Sequence, residues 1–182
     1  LIAEMTSPPL SRIIEVLNHE SINLFAEHLL KEVGLLLKNS GTTASGVEVL
    51  YEFLEDAGIN MTGLFIEDGS GMSPMNAVTS RGLAGILLFM KNRAGNFSWF
   101  LNSLPDAGRE GTLKSSFKDP AFVSNLRAKS GSMTRVRSYA GYFKTNSGNE
   151  MAFSIIINNF SGPSQRIISD IEEIVLETIL QR

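Results

Sequence analysis

The chain has 182 residues, 43% of them hydrophobic and 19% charged, which is enough for one domain with a core of its own. Its 16 basic and 19 acidic residues leave a formal net charge of −3, and no basic block alternates with aromatic residues, so we expect no nucleic-acid partner. The lack of cysteine excludes disulfide bonds and thiolate chemistry.

The first third of the chain predicts three helices separated by short breaks. Apolar residues at helical spacing follow Pro9, and this pattern is interrupted at residues 18–23. A second helix is expected to end near Gly34. Ser45 is predicted to cap a third helix that ends near Gly58.

The middle of the chain predicts a short strand, a tight turn and one strongly apolar helix. The strand is residues 63–66, and the glycine-rich turn is residues 68–71. Thr79 is predicted to cap the helix, which continues to about Arg93. The apolar run in this helix, residues 83–90, is far shorter than the roughly 20 residues that cross a bilayer, so we expect no transmembrane segment.

The last third predicts an antiparallel meander followed by a helix. Residues 125–133, 137–144 and 150–160 are expected to be strands, with a turn at 146–148 between the second and the third. An amphipathic helix follows Pro163. Antiparallel strands with helices packed on them predict an α+β fold.

Two short polar segments lie where their side chains are available for chemistry. Ser21-Ile22-Asn23 is at the first helix break, where a hydroxyl and an amide project away from the helical backbone. Lys129-Ser130-Gly131-Ser132 is in a predicted strand and offers a cation, hydroxyls and a backbone edge for an extended peptide. Gly131 is expected to let that peptide approach closely.

These two segments match the S-x-N and K-[ST]-G motifs of the penicillin-recognising serine enzymes. From about Ser7 to its C-terminus, the chain resembles the D-alanyl-D-alanine carboxypeptidase/endopeptidase family of the penicillin-binding protein 4 type, peptidase family S13. The blocks that carry the resemblance are SPPLSRIIEVLNHESINLFAEHLLK, DGSGMSPMNAVTSRGLAGIL, LPDAGREGTLKSSF and LRAKSGSMTRVRSYAGYF.

The resemblance implies part of a transpeptidase/β-lactamase-like domain, an antiparallel sheet flanked by helices. Residues 1–182 would be its C-terminal portion, because the S-x-x-K motif with the nucleophilic serine belongs upstream of Ser21. The strand at 150–160 would then be an exposed sheet edge, or one covered by the missing N-terminal half or by another chain.

The implied reaction is hydrolysis of peptidoglycan stem peptides that end in D-Ala-D-Ala, through an acyl-serine and without a metal or organic cofactor. β-Lactams would act as inhibitors, and the location would be periplasmic or extracellular. The alternative is a non-catalytic domain of the same fold that binds such peptides or β-lactams, or serves as a scaffold.

The resemblance also implies roles for individual residues. Ser21 would move a proton toward the leaving D-alanine amine, and Lys129 would tune Ser21 and supply positive charge. Asn23 would hydrogen-bond the substrate backbone, and Ser130, which replaces the commoner Thr, would bind the terminal carboxylate. The backbone N–H of Ser132 would form half of an oxyanion hole.

Three further positions bear on substrate binding and on the missing nucleophile. Met133 and Thr134 are expected to touch the substrate side chain. Pro74 stands where the family often has an arginine, which puts the preference for an anionic substrate side chain in doubt. Residues 115–118 fit S-x-x-K literally, but a loop is expected there, so Ser115 is not predicted to be the nucleophile.

The motifs also have simpler interpretations. Ser21 and Asn23 could be a pair of helix caps, and Lys129 a solvated charge at a sheet edge. Residues 68–71 could be an ordinary tight turn. His19 and His28 have no further ligands nearby in the sequence, so a metal site is not expected.

Overall fold

A computed structural model describes residues 3–181 of the chain. Helices come first, an antiparallel sheet follows and a long helix ends the chain, which confirms the α+β class. The elements are α1 (Leu10–Glu20), α2 (Asn23–Lys38), α3 (Thr43–Asp56), α4 (Ser80–Asn92), α5 (Phe97–Ser103), a 3₁₀ turn (Gly111–Leu113), β1 (Arg127–Met133), β2 (Val136–Lys144), β3 (Glu150–Asn158) and α6 (Ser164–Leu180). Over this range, no helix has the length and hydropathy needed to cross a membrane.

Three local predictions about the helical part are wrong. The helix α2 continues to Lys38 and does not end near Gly34, which is buried within it. Thr42, not Ser45, caps α3, and its hydroxyl accepts a hydrogen bond from the Ser45 backbone N–H at 3.2 Å. The backbone of Thr42 is extended, which places its side chain over the first helical turn. Residues 63–66 do not form a strand, because Phe65 makes only an isolated bridge to Ala77.

The sheet lies between α6 on one face and α4 and α5 on the other. Its strands have the order β1-β2-β3, and each is antiparallel to its neighbour. Side chains alternate between the two faces, so Tyr139 packs toward α6 whereas Tyr142 packs toward α4 and α5. The cluster on the α6 face is the larger one and includes Ala107, Leu113, Phe117, Phe122, Leu126, Ala128, Tyr139, Phe143, Ile171, Val175 and Ile179.

Both outer strands leave an edge available within residues 3–181. β3 pairs with β2 on one side and with no strand on the other. The outer edge of β1 is covered only at its beginning, where Ala107 N–H donates to Leu126 O at 3.0 Å and Ala128 N–H donates to Pro105 O at 3.2 Å. The rest of that edge, from Ser130 to Met133, is the one that carries the polar motif.

Candidate active site

The first polar segment is a strained connection between two helices. Ser21 ends α1 with φ 56° and ψ 47°, a left-handed conformation that costs a non-glycine residue about 1–2 kcal/mol. Ile22 is extended, and α2 begins at Asn23 with no side-chain capping hydrogen bond. Ser21 thus occupies the C-cap position of α1, as the simpler interpretation allows, whereas Asn23 is the first helical residue of α2 and does not cap it. A strained backbone conformation persists only where the surrounding structure holds it in place, and such residues are concentrated at functional sites.

Lys129 joins the two polar segments, which are 108 residues apart in the chain. Its Nζ donates a hydrogen bond to Ser21 Oγ and another, at 3.1 Å, to the carbonyl oxygen of Ser130. Lys129 is half-buried, so it is not the solvated edge charge of the simpler interpretation. Lys144, by contrast, is exposed and forms an ion pair with Glu150 at 3.0 Å.

Burial lowers the pKa of Lys129 below its ordinary value. The cause is desolvation, which disfavours the ammonium form. Within residues 3–181 no carboxylate pairs with Lys129 to offset that effect. A lysine with a lowered pKa exchanges its proton more readily with a neighbouring hydroxyl, and here that hydroxyl belongs to Ser21.

The second half of β1 presents backbone N–H groups to an open edge. In an antiparallel strand, the N–H and C=O of one residue point to the same edge, and alternate residues share that edge. Ala128 N–H points outward, since it donates to Pro105. It follows that the N–H groups of Ser130 and Ser132 also point outward, to an edge where no strand of residues 3–181 pairs with them.

Gly131 is explained by the neighbouring strand. It lies opposite Ser138 of β2, and a Cβ atom at Gly131 would overlap Ser138 Oγ. A side chain there would require the Ser138 hydroxyl to move, whereas glycine leaves that hydroxyl in place. This is a packing reason for Gly131, separate from the close approach of a substrate that the sequence predicts.

Thr112 is a site residue that sequence reasoning missed. Ser130 Oγ donates a hydrogen bond to Thr112 Oγ1 at 2.8 Å, and Thr112 is exposed beside the middle of β1, where the open edge begins. The available signal was its position in the GTLKSSF segment, one of the blocks that carry the resemblance. Nothing local to Thr112 indicates a contact with a residue so distant in the chain.

The remaining positions singled out in the sequence make no hydrogen bond to Ser21, Lys129 or Ser130 within residues 3–181. Asn23 is exposed at the start of α2, Ser132 and Met133 are exposed at the end of β1, and Thr134 is exposed in the turn that follows. Pro74 is exposed in the loop that follows the 68–71 turn. Their exposure leaves them available to a ligand, whereas Lys129 and Ser130 are half-buried.

Glu27 is a second residue that sequence reasoning missed. Its Oε1 accepts hydrogen bonds from the backbone N–H groups of Gly69 at 3.1 Å and Ser70 at 2.9 Å. Glu27 lies four residues after Asn23 on α2, so the two share one side of that helix. Asp68 closes the turn by accepting from Gly71 N–H at 2.6 Å, as the interpretation of an ordinary tight turn requires.

The literal S-x-x-K segment does not have the geometry of a nucleophile and its base. Ser115 is in a turn that follows the 3₁₀ helix, and residues 115–118 are not helical. Phe117 has φ 53° and is fully buried, so it would interrupt a helix at this point. Ser115 and Lys118 are therefore not aligned on one helical turn.

Comparison with known proteins places these observations in a family. Residues 1–177 match the D-Ala-D-Ala carboxypeptidase 3 (S13) family. The D-alanyl-D-alanine carboxypeptidase of an Actinomadura species is 34% identical over 178 residues, which are 93% of this chain and 32% of the relative. Carboxypeptidase DacB of Mycolicibacterium smegmatis is 31% identical over 186 residues, which are 97% of this chain and 39% of the relative. The chain thus spans less than two fifths of either relative.

Solved structures show the same fold. Penicillin-binding protein 4 of Haemophilus influenzae, complexed with a β-lactam, superposes with a TM-score of 0.86 at 21% identity, covering 100% of this chain and 46% of that one. The extended-spectrum β-lactamase TLA-1 superposes with a TM-score of 0.65 at 16% identity, covering 94% and 64%. The predicted transpeptidase/β-lactamase-like fold is confirmed.

Proposed function

Because the chain belongs to the D-Ala-D-Ala carboxypeptidase 3 (S13) family, we propose that it forms the C-terminal portion of a serine carboxypeptidase/endopeptidase that cleaves D-Ala-D-Ala peptides. The observation that carries the proposal is the hydrogen bond from Lys129 to Ser21 across 108 residues of chain. It joins an ammonium group and a hydroxyl beside an open strand edge, and acyl transfer to serine needs these groups together.

In the proposed reaction, a serine attacks the peptide carbonyl, an acyl-serine forms and D-alanine leaves as its amine. Water then cleaves the ester and restores the serine. Ser21 passes a proton to the leaving amine, and the ammonium of Lys129 holds the Ser21 hydroxyl and stabilises negative charge near it. The low water access of Lys129 strengthens that electrostatic interaction.

The open edge of β1 is proposed to bind the peptide as an added strand. The outward N–H of Ser132 would donate to the oxyanion of the tetrahedral intermediate, which stabilises it by roughly 3 kcal/mol. Ser130 would bind the terminal carboxylate and Asn23 the peptide backbone. Met133 and Thr134, both exposed, would contact the substrate side chain.

The nucleophilic serine and its lysine base are proposed to lie in an N-terminal portion of a longer protein. Two observations support the proposal that the nucleophile lies outside residues 1–182. The chain covers 32% and 39% of its two relatives, and residues 115–118 are not helical. The free edge of β3 is where strands from that portion, or from another chain, would pair.

The proposed substrates are peptidoglycan stem peptides ending in D-Ala-D-Ala, and the proposed inhibitors are β-lactams. A β-lactam is bound in the related Haemophilus influenzae penicillin-binding protein 4, which supports the second part. Such substrates lie on the outer side of the cytoplasmic membrane, so we place the protein in the periplasm or outside the cell.

The proposal is tested by covalent labelling with a fluorescent penicillin. The longer protein should be labelled, and this chain alone should not. Lys129→Met in the longer protein should slow acylation by about 100-fold or more, as loss of a group that stabilises charge in the transition state does. Lys144→Met is the matched control and should label normally, because Lys144 is exposed and pairs with Glu150.

Two results would contradict the proposal. Labelling of this chain alone at Ser115 would refute the division between the two portions. Reversible penicillin binding by the longer protein with no acylation would support the alternative, a non-catalytic binding or scaffold domain of the same fold.

A further inference from the structure

The hydrogen bond between Ser130 and Thr112 places two hydroxyl groups in series at the end of the proposed peptide-binding edge. Ser130 Oγ donates to Thr112 Oγ1 at 2.8 Å. Ser130 is half-buried on β1, and Thr112 is exposed on the 3₁₀ turn.

The 3₁₀ turn is held firmly, so the position of the Thr112 hydroxyl is well defined. Leu113 is fully buried in the α6-face core, and its carbonyl accepts hydrogen bonds from Gly108 N–H at 3.2 Å and Ser116 N–H at 3.0 Å. On the other side, Gly111 packs directly on the backbone of His19. Thr112 is thus fixed between the core and the end of α1.

The direction of this hydrogen bond conflicts with binding of a carboxylate. A hydroxyl has one hydrogen to donate, and a carboxylate only accepts. As long as Ser130 donates to Thr112, it has no hydrogen for the terminal carboxylate of a peptide. Ser130 must therefore rotate its hydrogen away from Thr112 when that carboxylate binds.

We infer that Thr112 is a positioning residue for Ser130, and that the hydrogen bond between them reverses when a substrate carboxylate binds. Thr112 then donates to Ser130 Oγ, and Ser130 donates to the carboxylate. Hydroxyls in such a chain polarise one another, which strengthens the final donor. The inference deepens the proposed function and rests on it, and it assigns to Thr112 part of the preference for substrates with a free C-terminal carboxylate.

The test compares two peptides in the longer protein, one ending in D-Ala-D-Ala and one with the same sequence and a C-terminal carboxamide. Thr112→Val removes the hydroxyl and keeps the shape. It should raise KM for the carboxylate peptide by about 3- to 10-fold, the usual value of one hydrogen bond, with little change in kcat. The carboxamide peptide, whose neutral oxygen is a weaker acceptor than a carboxylate, should show a smaller rise in KM.

Two further variants separate positioning from a merely structural role. Thr112→Ser keeps the hydroxyl and should restore the KM of the carboxylate peptide. Thr62→Val alters an exposed threonine elsewhere and should leave both peptides unaffected.

Equal losses on the two peptides, or no loss on either, would overturn the inference and leave the proposed function intact. Failure of the wild-type protein to cleave either peptide or to be acylated by penicillin would instead refute the proposed function, and the role of Thr112 with it.

Discussion

Gly111 sets the distance between the 3₁₀ turn and the end of α1, and its replacement by alanine should be costly for two separate reasons. Its φ is +45°, in the left-handed region, where a non-glycine residue loses about 1–2 kcal/mol. A Cβ atom there would also lie 2.9 Å from both the Cα and the carbonyl carbon of His19. These are backbone atoms, so the overlap can be relieved only if the turn or α1 moves.

Overpacking of this kind costs about 1–3 kcal/mol, so the free energy of unfolding should fall by about 2–5 kcal/mol in Gly111→Ala. Gly148→Ala is the matched control. Gly148 has φ +85° and nothing within 4 Å of its added Cβ, so it should lose only the conformational part, about 1–2 kcal/mol. The difference between the two variants isolates the contact with His19.

The measurement is urea unfolding of both variants and the wild-type chain, followed by circular dichroism and analysed by linear extrapolation. A Gly111→Ala variant no less stable than Gly148→Ala would refute the steric argument. A crystal structure of Gly111→Ala gives a second readout. Because His19 lies two residues before Ser21, a displaced α1 should lengthen the hydrogen bond between Ser21 and Lys129.

Two predictions concern the 68–71 turn. Glu27→Ala removes the acceptor of two backbone N–H groups of the turn and should lower the free energy of unfolding by about 2 kcal/mol, measured by thermal unfolding. Glu32→Ala changes an exposed residue of the same helix and should have little effect in that assay. Burial raises the pKa of Asp68, but hydrogen bonds from Asn76 and from backbone N–H groups outweigh it and hold that pKa below its ordinary value of 3.8. Between the two pKa values the unfolded chain therefore binds more protons at Asp68 than the folded chain does. The contribution of the Asp68 carboxylate to the free energy of unfolding is complete above pH 3.8 and is lost as pH falls through the folded-state pKa. The urea midpoint of the wild-type chain should fall as the pH is lowered below 3.8, and that of Asp68→Asn should fall less. Equal pH profiles of the two proteins would argue against a stabilising Asp68 carboxylate.

Alternating hydrophobicity and capping residues in the sequence predicted most of the strands and helices correctly. The strand predictions differ from β1, β2 and β3 by at most two residues at any end. Thr79 caps α4, since its hydroxyl accepts from Gly82 N–H at 3.0 Å. These features depend on neighbouring residues, so a local pattern contains the information that specifies them.

Local patterns failed where several residues could do the same task. Thr42 and Ser45 are both acceptable caps, and the backbone of the preceding loop decided in favour of Thr42. Residues 63–66 have the composition of a strand, but only Phe65 finds a partner, in Ala77. A strand needs a neighbour along its length, and sequence alone does not show whether one is present.

By itself, the sequence determined the fold class, the order of the elements and the family to which the chain belongs. It also singled out the two polar segments, although their roles remain proposals. The tertiary structure alone decided that Lys129 reaches Ser21, that Ser130 bonds to Thr112 and that Glu27 supports the 68–71 turn. The physical reason is that each of these contacts joins elements far apart in the chain, and the packing of helices against the sheet, not any local pattern, brings them within hydrogen-bonding distance.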